Sequence, residues 1–128
     1  MGVMLQAFYW DCPREEKKEY KWWKYVTKQI PALAEVGFTS LWLPPVHKAA
    51  NIGGPSMGYD PYDYYDLGEF DQKGGIPTWF GTKKELLNLI EAAHKHGLGV
   101  IAMKTLRGAR LNDMRPYEEG GATFAQAA

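Results

Sequence analysis

The sequence predicts an α/β fold in which about three parallel strands alternate with helices. Three observations lead there. Short runs of apolar and aromatic residues, the signature of buried strands, lie at 3–10, 38–43 and 99–103. An amphipathic helical stretch separates each run from the next. Parallel neighbours need such crossovers, and two right-handed crossovers set three strands side by side.

Val3 to Trp10 (VMLQAFYW) reads as the first strand, closed by Cys12-Pro13. Tyr20 to Glu35 carries Trp23, Val26, Ile30 and Leu33 on one helical stripe. Trp23 is expected in the core and Trp22 over the exterior of the barrel strands. Pro31 has no N–H to donate, so a kink or a restart is expected there. Gly37 stops the helix. Phe38 to Leu43 (FTSLWL) is the second strand, ended by Pro44-Pro45. Residues 46–80 read as one long irregular stretch, and such stretches are usually functional or disordered. Its seven aromatics between Tyr59 and Phe80 argue against disorder. Thr82 to His96 is the clearest helix. Thr82 and Glu85 form a capping box, Leu86, Leu87, Ile90 and Ala93 make the apolar face, and Gly97 ends it. Gly99 to Met103 (GVIAM) is the third strand.

The chain has 128 residues with 15 basic and 15 acidic side chains, a formal net charge of zero. That balance excludes a nucleic-acid footprint and a polybasic membrane surface. One cysteine, Cys12, excludes an internal disulfide framework. Met1 to Trp10 is apolar but short and runs into a charged stretch, so neither a secretory signal nor a membrane span is read there, and a cytoplasmic location is expected. The 14% aromatic content suits either ring-stacking platforms or core filling.

Four segments carry a family resemblance: VMLQAFYWD, FTSLWLPPVHKA, MGYDPYDYYDLGEFDQKG and FGTKKELLNLIEAAHKHGLGVIA. Together they resemble the opening of the catalytic domain of α-amylase-type glycoside hydrolases, a (β/α)8 TIM barrel, over residues 1–102. The fold class becomes a partial barrel of about three parallel strands with intervening helices. The resemblance implies a retaining hydrolase acting on α-1,4-glucans, with an α-glucan oligosaccharide or polysaccharide as partner. It places the catalytic carboxylates on strands four, five and seven, so no catalytic residue is assigned here and the isolated chain is expected to be inactive. No cofactor is expected in this segment, although complete family members can carry calcium.

The pattern changes near residue 103. Of 18 aromatics, 16 precede residue 81, and the family's Asn-His pair does not follow the third strand. Residues 97–128 instead resemble an aldo-keto reductase barrel segment, and 103–128 is expected to be a divergent tail, the product of a fusion. The uncapped alanine-rich run Ala122 to Ala128 leads to the expectation of a truncated chain. Two other functions follow from these features, an NAD(P)-dependent oxidoreductase segment and a non-catalytic sugar-binding half-barrel. Open sheet edges predict self-association.

For the site, the resemblance assigns Tyr59 to stacking on a sugar ring, with a packed loop aromatic as the alternative. Gln6 and Asp63 are candidate polar neighbours of that sugar, with loop anchoring as the stronger reading for both. His47, after the double proline, reads equally as a sugar contact or a loop residue. Asp60, Asp63, Asp66 and Glu69 recur every third residue. They read as loop-bracing groups, because the glycine and spacing of a calcium loop are missing.

Overall fold

A computed structural model of the chain describes residues 1–10, 12, 21–51 and 57–103. The elements run β1 (Met4–Gln6), α1 (Trp22–Val36), β2 (Ser40–Trp42), β3 (Lys48–Ala49), β4 (Pro61–Asp63), α2 (Lys83–Lys95) and β5 (Gly99–Ile101). The expected three-stranded parallel sheet is present in the order β1-β2-β5. Leu5 lies beside Leu41, and Leu41 beside Val100, as the middle row of the register. That row packs into the core with α1 and α2. Side chains alternate between sheet faces, so Met4 and Gln6, Ser40 and Trp42, and Gly99 and Ile101 lie on the opposite face. Met4 and Ile101 are about half exposed there.

The strands are shorter than the apolar runs that announce them. After Gln6 the chain makes one more ladder bond, Ala7 N–H to the Trp42 carbonyl at 2.9 Å. It then leaves the sheet, and Phe8, Tyr9 and Trp10 turn to ring contacts with Trp42, Trp22 and Tyr59. Their apolar character serves loop packing rather than strand pairing.

Helix α1 passes through Pro31 as one element, so the expected restart does not occur. Its buried residues are Trp22, Trp23, Val26 and Ile30. Trp22 lies between α1 and the sheet: its indole N–H donates to the Ala7 carbonyl at 3.0 Å and joins the helix to the end of β1. Gly37 closes the helix in the left-handed conformation at φ 109°. The Gly37 and Phe38 N–H groups bond the carbonyls of Ala34 and Leu33, the pairing of a Schellman motif. Proline in a helix interior is about 3 kcal/mol less favourable than alanine. Pro31 is exposed, so Pro31→Ala is expected to stabilise the chain by about 1–3 kcal/mol. A higher urea midpoint at unchanged m-value checks this.

Helix α2 has the expected capping box. Its buried face is Leu86, Leu89 and Ala93 rather than the stripe expected through Leu87 and Ile90. Leu87 is 51% and Ile90 38% exposed. The difference is a rotation of the stripe, on a helix that packs against α1 as well as β5.

The long irregular stretch contains two strands that its sequence does not announce. β3 and β4 pair antiparallel, Lys48 with Asp63 and Ala49 with Pro61, with an irregularity between Lys48 and Ala49. Strands of two and three residues, one opening on proline, carry no readable period.

Candidate functional site

The loops after β1 and β2 leave the same end of the parallel sheet, the carboxyl ends of the strands. In a (β/α)8 barrel this is the face that carries the active site. Two aromatics meet there: the rings of Trp10 and Tyr59 stack 6.4 Å apart with 17° between planes. Trp10 is 63% exposed, while Tyr59 is half-buried and packs against the core. Burial pushes the Tyr59 phenol upward from its ordinary range, so the ring stays neutral at physiological pH. Gly58 sets the approach of this segment. Its φ is +85°, and an added Cβ would lie 2.9 Å from Pro45 Cβ and 3.1 Å from the Pro45 carbonyl oxygen. Only glycine lets Tyr59 start so close to the Pro44-Pro45 corner.

Of the acidic residues that recur every third position, Asp63 and Asp66 share a donor and the other two stand on separate ones. Asp66 is fully buried. Its Oδ1 accepts from the backbone N–H groups of Gly68, Glu69 and Phe70, and its Oδ2 from Gln72 Nε2 at 2.7 Å. Asp63 accepts from the Tyr65 N–H and, at 3.0 Å, from the same Gln72 amide. Asp60 accepts from the Asn51 N–H, and Glu69 pairs with Lys83 at 2.8 Å. Apart from the Gln72 amide shared by Asp63 and Asp66, the four carboxylates are held by separate donors, an arrangement that does not fit a calcium ion, and no group of three such side chains among the described residues could hold a metal.

Electrostatics leads to the same conclusion about acid catalysis. The Gln72 amide and the Tyr65 N–H hold Asp63 below the usual carboxylate range. Burial pushes Asp66 upward, but the Glu69 N–H, the Gln72 amide and the Gly68 and Phe70 N–H groups outweigh it and leave its pKa lowered. A retaining glycosidase needs one carboxyl raised enough to donate a proton. Both members of this pair are shifted the other way, so they brace the loop.

The remaining candidates are placed as follows. Gln6 is exposed on β1, and its amide donates to the Phe8 carbonyl at 3.2 Å. His47 is 2% exposed, with its ring tilted against Tyr64 at 4.7 Å. It lines a cavity of about 590 Å³ with Leu43, Val46, Leu86, Ile90 and Val100, on the α2 side of the sheet. The structure thus brings Asp63 to Gln72 and Asp66, and Tyr59 to Trp10, while His47 lies under the loop. Sequence reading missed Trp10 and Lys48. Trp10 sits at the end of a strand-like run, and the run masked its separate role. Lys48 is wholly buried, which nothing local to a lysine announces.

Comparison with known proteins agrees with this geometry. Residues 16–103 match the alpha-amylase catalytic domain family. The chain is 42% identical over 99 residues to the cytoplasmic alpha-amylase of Escherichia coli K12, covering 77% of this chain and 19% of that protein. It is 42% identical over 101 residues to an alpha-amylase of Geobacillus stearothermophilus, covering 79% of this chain and 17% of that protein. Among solved structures, truncated alternansucrase from Leuconostoc mesenteroides NRRL B-1355 superposes with a TM-score of 0.63 at 29% identity, over 79% of this chain and 10% of that one. The chain therefore spans less than a fifth of the length of these relatives. The aldo-keto-reductase reading of 97–128 is not supported: β5, within 97–103, falls inside the amylase-family match, and 104–128 lie outside the described residues. A sheet of parallel strands with an aromatic pair at its carboxyl end, and a family match across more than half of the chain, make this chain a member of the alpha-amylase catalytic domain family.

Proposed function

We propose that this chain supplies part of the substrate-binding face of a retaining hydrolase of α-1,4-glucans, with Tyr59 and Trp10 as its ring-stacking platform. The observation that carries the reading is the stacked pair itself, half-open to solvent at the strand ends. The apolar C–H face of a pyranose suits an aromatic face, and hydroxyls at the sugar's rim take polar neighbours. Asp63 and Gln6 now serve the loop rather than a ligand. The hydrolytic carboxylates are not among the residues assigned here, so the 128-residue chain binds rather than cleaves. Similarity to a cytoplasmic alpha-amylase supports a cytoplasmic setting. No helix among the described residues is long and apolar enough to cross a membrane. Among the described residues β1 and β5 form the edges of the sheet, and such edges support pairing with further strands, including those of a second copy.

One stacking contact is worth roughly 0.5–1.5 kcal/mol beyond burial, so affinity is expected near the millimolar range, about −4 kcal/mol. Maltotriose titrated into the wild-type chain should move the Tyr59 and Trp10 ring resonances saturably. Tyr59→Ala should abolish that movement. Saturable shifts that persist in Tyr59→Ala would remove Tyr59 from the site.

A further inference from the structure

We propose that Lys48 is the internal cation that positions the Tyr59 loop, and that its ammonium fills an oxygen cage able to take a free monovalent cation of the size of potassium or ammonium. The cage is built from the chain itself. Lys48 Nζ donates to the carbonyl oxygens of Gly75, Ile76 and Pro77 at 2.8, 2.7 and 3.1 Å. An ammonium has three protons to donate, so all three are used. Asp66 Oδ2 lies 3.5 Å away as the countercharge. That distance is beyond a good hydrogen bond, and this oxygen already accepts from Gln72. Both side chains are fully buried. A buried pair of this kind is tolerable only when every donor and acceptor is satisfied, and here the carbonyls and the Asp66 turn satisfy them.

Backbone carbonyl oxygens replace the hydration shell of potassium in channel filters, and here three consecutive carbonyls converge on one charge with a carboxylate 3.5 Å from it. The oxygen distances of 2.7–3.1 Å suit potassium and ammonium better than the smaller sodium or lithium. Lys48 therefore joins three parts of the loop. Its backbone N–H donates to the Asp66 carbonyl at 2.7 Å, its own strand pairs with β4, and its side chain holds 75–77. Tyr59 lies directly before that pairing, where the Ala50 N–H bonds the Asp60 carbonyl at 2.8 Å. The register that carries Tyr59 to Trp10 thus depends on the tether. Lys48 acts on the loop through these backbone bonds, so it is a positioning residue.

The test reads loop order rather than sugar binding, so it succeeds or fails independently of the maltotriose reading. In the full chain, Lys48→Ala is expected to lower the melting temperature by roughly 10 °C or more. At constant ionic strength, potassium or ammonium chloride should restore part of that loss saturably, and lithium or tetramethylammonium chloride should not. Wild type should respond equally to all four salts. Equal response of Lys48→Ala to all four would overturn the cage. Where Lys48→Ala does not fold, the double variant Lys48→Met with Asp66→Asn removes both charges and keeps an oxygen for the Asp66 turn. It should fold, lose the Trp10–Tyr59 ring NOE and exchange amides of 66–78 faster. An unchanged NOE and unchanged exchange in the double variant would overturn the positioning role.

Discussion

Asp66→Ala is expected to cost about 3–5 kcal/mol, the loss typical when one member of a buried ion pair is removed. The Lys48 ammonium would keep its three carbonyls but lose the negative charge 3.5 Å away. The N–H groups of Gly68, Glu69 and Phe70 would lose their common acceptor. Gly68 worsens the effect. Its φ is +99°, and an added Cβ would lie 2.7 Å from the Gly81 carbonyl oxygen, so the turn is wedged against the start of α2. Freeing it loosens the helix N-terminus, where the Lys83 N–H bonds the Gly68 carbonyl at 3.1 Å. Acid should produce a milder form of the same loss. Asp63 and Asp66 are both held below the ordinary carboxylate pKa. Their charged forms therefore stabilise the fold above the unfolded value, about 3.9. That contribution fades as pH falls through the lower folded-state values. Chemical denaturation of wild type and Asp66→Ala at neutral pH and near pH 3 checks both statements. The difference between the two proteins should shrink in acid, and an equal difference at both pH values would contradict the assignment.

Trp23→Ala is expected to cost about 3–5 kcal/mol as well, by opening a cavity in the core. Trp23 is wholly buried, its ring lies 5.1 Å from that of Phe80, and its backbone N–H donates to the Phe80 carbonyl at 3.0 Å. It joins the first helix to the segment leading into the second. Against a total stability of roughly 5–15 kcal/mol, that loss is large. Trp23→Phe makes the informative control. The indole N–H finds no acceptor among the described residues, so phenylalanine gives up volume but no hydrogen bond. Its cost should be only about 1–2 kcal/mol. Urea midpoints for the two variants separate these outcomes, and equal losses would show that the indole nitrogen has a partner after all.

Several features were legible in sequence because they rest on local rules. The Thr82–Glu85 box, the Gly37 stop and the parallel order each follow from a few adjacent residues or from apolar period. The loop was legible only as a loop. Its aromatic content pointed to order, yet the residues that hold it, Lys48, Asp66 and Gln72, are polar types that usually face water. Their burial depends on partners up to 29 positions away, as for Lys48 and Pro77. Tyr59 could be named from family resemblance, whereas its stacking mate Trp10 comes from the loop after β1, 49 residues earlier.

By itself, the sequence determined the α/β class and the strand order, because helix caps, apolar period and crossover handedness act within short stretches of chain. Only the tertiary structure decided which polar groups went inside. It bonded Asp63 to Gln72, buried His47 against Tyr64 and set Trp10 on Tyr59. The physical reason is that a buried charge or an unshared N–H is costly unless its partners arrive in the right geometry. Those partners here come from distant segments, and nothing in the residues adjacent to Lys48 or Asp66 names them.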